Sequence, residues 1–239
     1  AAAKEAGWAW QITLQHRMGN GYVFSRQFCS DDQAIDTLVR SVQGELLNEP
    51  RVIPFTTGKR QKIWHKNCLA LGLAGGFLEP LESTAIHLIY KTLVHFIADF
   101  PDSDFDLTLE DAFNQKIDAD YIEIRDFIIL HYCTAGRNDS DFWQWCNNMP
   151  VPESLQEKLD TFRLRGQLAH QSGAFFTQDS WYSILEGMHI RPQKYHPILD
   201  GFHRQDLARL LHENIHNIQS TVMKMPNHHE YLQMHCRAK

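Results

Sequence analysis

Residues 71–85 read Leu-Gly-Leu-Ala-Gly-Gly-Phe-Leu-Glu-Pro-Leu-Glu-Ser-Thr-Ala, a stretch that is first apolar, then glycine-rich, then acidic. It continues an apolar run over 68–74, whose composition predicts a strand buried on both faces. Gly75 and its neighbour predict a tight turn, and a helix is predicted from near Ser83 to about residue 100. A strand, a turn and a helix N-terminus in succession often hold a ligand.

Two carboxylates, Glu79 and Glu82, stand next to this predicted helix start. The free N–H groups of a first helical turn and the positive end of its dipole stabilise an anion, so a halide, phosphate or oxyanion would find donors at Thr84 and Ala85. From spacing alone, a simpler alternative is that Glu82 or Ser83 caps its own helix. Buried carboxylates are costly and are retained where chemistry uses them, which favours a site.

The N-terminal flank alternates in hydropathy, with Trp8 and Trp10 on one face of a predicted strand. The sequence Gly19-Asn20-Gly21 predicts the turn of a β-hairpin. The period-two alternation by itself favours a structural role, in which the two indoles fill a hydrophobic core. The functional alternative is that they form the wall of a flat aromatic cofactor or substrate site.

The remaining pattern predicts an α+β fold that is rich in helix, with β-strands followed by a mainly α-helical layer. The further predicted elements are a helix at 31–50, strands at 51–55 and 61–64, helices at 108–135, 140–148, 152–171, 178–189 and 203–224, and a terminal turn at 228–236. We therefore expect a strand-rich part at 1–101 and a helical part at 102–239, packed together as one unit.

Composition excludes several function classes. The 239 residues carry 23 Lys+Arg against 29 Asp+Glu, a net charge of −6, so nucleic acid is not an expected partner. No apolar run approaches the roughly 18 residues that cross a bilayer, so no membrane is expected. The five cysteines show no CxxC spacing and the first residues no apolar signal segment, so we expect reduced thiols and a cytoplasmic protein.

Metal ligands are suggested by one motif, His212-Glu213-Asn214-Ile215-His216, which matches the HExxH pattern of zinc peptidases. With 14 histidines in the chain, such a match also arises by chance. The apolar residues of this segment are better explained as the buried stripe of a surface helix. The acidic group Asp102, Asp104, Asp106 and Asp111 lacks calcium-loop spacing and is interpreted as a solvated loop with a helix cap. No metal site is expected.

A family resemblance appears where these motifs are taken together. The segment Gly7-Trp8-Ala9-Trp10-Gln11-Ile12-Thr13 resembles the WxWxIP signature of flavin-dependent tryptophan halogenases, and 72–84 resembles their strand-turn-helix at the flavin. Further similar positions follow along the chain: Gly58-Lys59-Arg60, Trp64, Asn67-Cys68, His131-Tyr132, Arg137, Asp139-Ser140, Phe142-Trp143 and Pro226-Asn227-His228.

The resemblance implies a cofactor and a reaction. In the family, reduced FAD and oxygen give a flavin hydroperoxide, a chloride or bromide attacks it, and the resulting hypohalous acid reaches an aromatic substrate such as tryptophan, indole or pyrrole. Glu82 matches the essential glutamate beside the substrate. Thr84 and Ala85 match the positions whose N–H groups hold the halide, and Leu73 and Ile86 match positions that touch the flavin ring. Trp8 and Trp10 match the tryptophan pair at the wall of the flavin site.

Departures from the family pattern narrow this expectation. The signature proline is Thr13 here, and Ala85 stands where glycine is frequent. Enzymes acting on free tryptophan carry a longer segment, rich in tyrosine and glutamate, where this chain has only 171–177. We therefore expect a more open pocket, for an indole, a pyrrole, a phenol or a larger aromatic substrate instead of tryptophan.

The chain also has no GxGxxG sequence and no matching catalytic lysine. We therefore expect the C-terminal half of an enzyme whose N-terminal dinucleotide-binding half is absent, and which alone binds FAD poorly and is inactive. The resemblance implies a separate flavin reductase and the missing half as partners, and it allows a homodimer. Two rival functions stay open, a flavin-dependent aromatic monooxygenase and a non-catalytic helical interaction module.

Overall fold

The computed structural model describes residues 1–103, 106–169 and 173–236. The chain is a helix-rich α+β protein, which confirms the predicted fold class. Its strands are β1 (Ala2–Lys4), β2 (Gly7–Thr13), β3 (Met18–Phe24), β4 (Gly58–Lys59), β5 (Trp64–His65), β6 (Cys68–Leu69) and β7 (Gly76–Phe77). Its α-helices are α1 (Asp31–Ser41), α2 (Ala85–Ala98), α3 (Leu107–Cys133), α4 (Asp141–Asn148), α5 (Glu153–Arg165), α6 (Gln178–Gly187), α7 (Arg204–Lys224) and α8 (His228–His235).

The N-terminal sheet is an antiparallel meander in the order β1-β2-β3. The hairpin is confirmed, but its predicted turn is wrong: the chain reverses at residues 14–17, where the Leu14 N–H donates to Arg17 O over 2.9 Å. Gly21 instead lies inside β3, directly opposite Trp10. A Cβ at Gly21 would lie 2.1 Å from the Trp10 ring, so this glycine makes room for an indole.

Helix α1 begins with a capping box, in which Ser30 Oγ accepts from the Gln33 N–H and Gln33 Oε1 accepts from the Ser30 N–H. It ends at Ser41, so the prediction of a helix reaching Pro50 is wrong in its second half. The apolar residues after Ser41, which suggested a longer helix, do not extend the buried face of α1. Leu47, for example, is 71% exposed.

The segment between α1 and α2 forms only short strands. Sheets β4–β7 and β5–β6 each have two strands, and 51–55 forms none. The predicted strand over 68–74 is also wrong: β6 is short, Gly72 takes a φ of +58°, and Gly72–Ala74 form a 3-10 helix. Leu73 is 78% exposed, so this apolar run is not buried on both faces. The positive φ at Gly72 turns the backbone away from strand pairing.

Helix α3 is the centre of the molecule, because it contacts α2, α4, α5 and β5. One core cluster joins Phe127 of α3 to α5 and α6, and a second joins Phe113 to Trp64. A third cluster packs Ala6 and the partly buried Trp8 against Trp143. The second and third clusters thus contain residues from both sides of residue 101. No helix among the described residues is long and apolar enough to span a bilayer.

The C-terminal helices agree closely with the sequence pattern. The structure places α6 and α7 within a few residues of the predicted bounds, whereas α5 ends at Arg165, short of the predicted residue 171. The predicted terminal turn at 228–236 is instead the eight-residue helix α8. Gly166 follows α5 in the left-handed region at φ +66° and its N–H donates to Phe162 O, which ends the helix there.

Candidate functional site

The start of α2 is the centre of the candidate site. Thr84 precedes the helix, is buried, and makes no capping hydrogen bond with its side chain. Ser83, just before it, has a φ of +53°, a conformation that a non-glycine residue adopts only under constraint from its surroundings. The sequence alternative of Ser83 as the cap therefore does not match the geometry. The N–H groups of a first helical turn have no partner within their own helix, so those at the start of α2 can bind an anion.

Glu82 does not cap α2 but turns its carboxylate toward α3. Its Oε1 lies 3.0 Å from Nε2 of His131, and the two side chains are 27% and 7% exposed. Nδ1 of His131 lies 2.7 Å from the carbonyl oxygen of Phe127. A carbonyl only accepts, so Nδ1 carries a proton and donates it there.

Glu79 forms a second, partly buried pair with Tyr132 of α3. The hydroxyl of Tyr132 contacts both of its carboxylate oxygens, at 3.0 and 2.9 Å. Burial raises the pKa of Glu79, and the Tyr132 hydrogen bond and the nearby His131 offset part of that rise. The pKa of Tyr132 is raised by burial and then by Glu79, so its hydroxyl stays protonated and donates.

Trp8 covers this group of side chains from β2. Its ring meets those of His131, Tyr132 and Trp143 edge to face, with centroids 5.6 to 6.5 Å apart. Its Nε1 is buried and has no hydrogen-bond partner among the described residues. Trp10 lies further along the strand, against Gly21. Trp10 therefore lies two residues beyond this group on β2. The side chains that the structure brings together are those of Trp8, Glu79, Glu82, His131 and Tyr132.

A cavity of about 90 Å³ lies at the turn before α2. Its lining is mainly apolar and includes Leu73, Thr84 and Ala85, with Glu79 as the charged member. Leu73 also presents most of its surface to the outside, and Ile86 is 81% exposed. Exposed apolar side chains beside a helix start can cover one face of a planar ring.

The loop before α6 is tied to α2 and α3 by buried charges. Glu123 accepts from the N–H groups of Phe175 and Phe176, over 2.7 and 3.1 Å. The Lys91 ammonium donates to Gly173 O over 2.6 Å and forms an ion pair with Asp120. Burial raises the pKa of Asp120, and Lys91 offsets part of that rise. The start of this segment, at 170–172, lies outside the described residues.

No sequence motif indicates Glu123, Lys91 or Asp120 as functional residues. His131 is indicated only by the family resemblance. One usable signal was present: α3 carries Asp120, Glu123 and Asp126 among many apolar residues, and all three are buried. Acidic side chains buried on a helix require partners from another element.

The HExxH residues His212, Glu213 and His216 are all exposed on α7. Within 1–103, 106–169 and 173–236, no three His, Cys, Asp or Glu side chains converge to hold a metal ion. In the acidic loop, Asp106 accepts from the Thr108 N–H over 2.6 Å and caps α3, which confirms the predicted cap. Asp104 lies outside the described residues.

Comparison with known proteins agrees with this geometry. The family model for tryptophan halogenase matches residues 1–204. The chain is 31% identical to tryptophan 7-halogenase KtzQ from Kutzneria sp. (strain 744), over 83% of this chain and 40% of that protein. It is 36% identical to tryptophan 6-halogenase SttH from Streptomyces toxytricini, over 69% of this chain and 32% of that protein.

Two solved structures share the fold. BrvH, a flavin-dependent halogenase from Brevundimonas sp. BAL3, is 44% identical with a TM-score of 0.91, over 97% of this chain and 47% of that one. Xcc4156, a flavin-dependent halogenase from Xanthomonas campestris, is 39% identical with a TM-score of 0.95, over 99% of this chain and 48% of that one. The chain therefore spans less than half the length of these relatives.

Proposed function

The chain belongs to the tryptophan halogenase family, and we propose that the protein containing it is an FAD-dependent halogenase of an aromatic substrate. The observation that carries the proposal is the Glu82 carboxylate, three residues before the first residue of α2 and paired with His131. Electrophilic halogenation by hypohalous acid needs a halide site for the oxidation step and a base for the ring proton, and the start of α2 offers residues for both.

The halide is held by the N–H groups of Thr84 and Ala85. The Thr84 side chain makes no capping bond, so it does not compete for these donors. The positive end of the α2 dipole favours an anion at this point. The apolar lining of the neighbouring cavity keeps water sparse, which strengthens the attraction between the halide and its N–H donors.

Glu82 takes the proton that the substrate ring loses. Because Nδ1 of His131 is committed to Phe127, a neutral His131 would turn the lone pair of Nε2 toward the carboxylate. The 3.0 Å contact is favourable when Nε2 also carries a proton and donates it to the ionised carboxylate, the form of Glu82 that can accept a ring proton. His131 therefore orients Oε1 and leaves Oε2 to face the substrate.

The reaction balances as an aromatic substitution. A ring carbon attacks the halogen of hypohalous acid, so a carbon–halogen bond forms and the halogen–oxygen bond breaks. The ring carbon then loses its proton to Glu82, which restores aromaticity. Glu82 passes this proton to the released hydroxide, which becomes water, so the carboxylate is regenerated.

FAD supplies, in its reduced form and with oxygen, the oxidising power that converts chloride or bromide into hypohalous acid. The exposed Leu73 and Ile86 would contact its ring, and Trp8 and Trp10 would form the wall nearby. The dinucleotide part would be held by the N-terminal half, and a separate flavin reductase would provide the electrons.

The substrate is an indole, pyrrole or phenol ring, in preference to the free amino acid tryptophan. The described part of the loop before α6, Gly173-Ala174-Phe175-Phe176-Thr177, offers aromatic rings and no charged side chain to bind a carboxylate or ammonium. All five cysteines are free thiols, which supports a cytoplasmic location for the protein.

The test supplies the complete enzyme with FAD, a flavin reductase, oxygen, bromide and indole, and analyses the product by mass spectrometry. We expect a bromine isotope pair that is lost in Glu82→Gln and kept in Glu157→Gln, an exposed glutamate on α5 that controls for charge. A mass gain of one oxygen, independent of bromide, would identify a monooxygenase. Unchanged indole under all conditions would favour the non-catalytic interaction module.

A further inference from the structure

Two charged side chains hold one short loop. Glu123 of α3 and Lys91 of α2 bind the loop of residues 173–176 that precedes α6, and Asp120 of α3 pairs with Lys91. The side chains of Lys91 and Asp120 are 14% and 8% exposed.

Glu123 holds the loop by its backbone. Its two oxygens accept from two consecutive N–H groups, those of Phe175 and Phe176. Hydrogen bonds to an ionised acceptor are roughly twice as strong as neutral ones, and two of them fix both position and direction. A buried carboxylate needs such partners, because an unpaired one is costly.

Lys91 holds the same loop from the other side. Its ammonium donates to Gly173 O, pairs with Asp120, and lies 5.4 Å from the centroid of the Phe175 ring. One oxygen of Asp120 is buried with no hydrogen-bond partner among the described residues. Such an arrangement is a poor choice for stability alone, because apolar replacements of buried ion pairs are often as stable.

The held loop lies beside the candidate site. The Phe175 ring packs on His87 of the first turn of α2, with centroids 4.6 Å apart. The Phe176 ring stacks on Phe127, with centroids 3.9 Å apart. Phe127 is the residue whose carbonyl accepts from His131, the partner of Glu82. The loop therefore packs on the first turn of α2 and on Phe127, the residue whose carbonyl positions His131.

We propose that Glu123 and Lys91 are positioning residues for the substrate: they clamp residues 173–176 so that Phe175 stands as a fixed aromatic wall next to the start of α2. The inference rests on the proposed function. A fixed wall places a flat aromatic ring against Glu82 at no ordering cost during binding. If this loop were mobile, hypohalous acid would still form, but the substrate ring would bind more weakly.

The experiment uses the complete enzyme with FAD, reductase, oxygen and bromide. It measures two rates for each variant: hypobromite trapped by a small-molecule scavenger in the absence of substrate, and bromoindole formed across a range of indole concentrations. Glu123→Gln removes one of the two acceptors, because an amide nitrogen cannot accept from an N–H. Phe175→Ala removes the wall itself, and Glu157→Gln is the charge-matched control.

We expect Glu123→Gln and Phe175→Ala to raise the KM for indole about tenfold while the hypobromite yield stays at the wild-type level. Equal losses in both rates, or an unchanged KM in Phe175→Ala, would overturn the inference. If Glu123→Gln does not fold, Phe175→Ala and Lys91→Met carry the test. A wild-type enzyme that makes neither hypobromite nor bromoindole would instead refute the proposed function.

Discussion

The Trp10 indole fills the space that a side chain at Gly21 of β3 would occupy. Gly21 stands directly opposite Trp10, and a Cβ there would lie 2.1, 2.2 and 2.6 Å from three atoms of the ring. Gly19, two residues earlier on the same strand, would place its Cβ 3.6 Å from the same ring, an ordinary contact. Neither glycine has a positive φ. The two positions therefore form a matched pair for a Gly→Ala substitution.

The magnitude follows from that spacing. Carbon atoms in contact lie about 3.5–4.0 Å apart, so Gly21→Ala must displace the ring by about 1.5 Å. Forcing an extra methyl group into a filled space costs about 1–3 kcal/mol. Gly19→Ala meets no clash and reduces the freedom of the unfolded chain, which stabilises by about 0.4–1 kcal/mol. The two variants should differ by about 2 kcal/mol, in opposite directions from wild type.

Thermal unfolding followed by tryptophan fluorescence tests this, because the displaced indole reports directly. A difference of about 2 kcal/mol corresponds to roughly 4–8 °C in Tm for a unit of this size. We expect the Gly21→Ala Tm to lie below wild type with a changed emission spectrum, and the Gly19→Ala Tm to lie at or above wild type. Equal Tm values for the two variants would refute the assignment of Gly21 as space for Trp10.

Further predictions concern acid stability, the carboxylate and a helix cap. Hydrogen bonds from Lys62, the largest cause, and from neighbouring groups lower the pKa of Glu110 to about 2. Its stabilisation is therefore full above the unfolded pKa of about 4.5 and lost as pH falls toward 2, so Glu110→Gln should lower Tm at pH 7 and cease to matter near pH 2. His131→Phe should reduce bromoindole formation with unchanged hypobromite yield, and it should add little loss in a Glu82→Gln background. Ser30→Ala should destabilise α1 by about 1 kcal/mol in urea unfolding, because it removes the capping box.

The helices were predictable because their signals are local. The cap at Asp106 and the apolar period of α3 lie within the segments they define. The turn at 19–21 was not predictable, because the glycine there serves a ring on another strand. The strand over 68–74 failed for a related reason: hydropathy predicts that Leu73 is covered, and no described residue covers it.

The candidate site likewise has a part that the sequence could predict and a part that it could not. Glu82, Thr84 and Ala85 are neighbours in sequence at a helix start, so spacing alone could propose an anion site. His131 and Glu123 reach the site only because α3 crosses behind α2, a contact that depends on tertiary packing. Neither residue carries a motif of its own, and a single sequence does not pair a glutamate with a histidine so far along the chain.

The most direct test of a halide at the start of α2 is anomalous diffraction from crystals of the complete enzyme, loaded with FAD and soaked in bromide. We expect a bromide peak in contact with the N–H groups of Thr84 and Ala85, close to the Glu82 carboxylate. Bromide peaks at other places only, with ordered water at this helix start, would contradict the account.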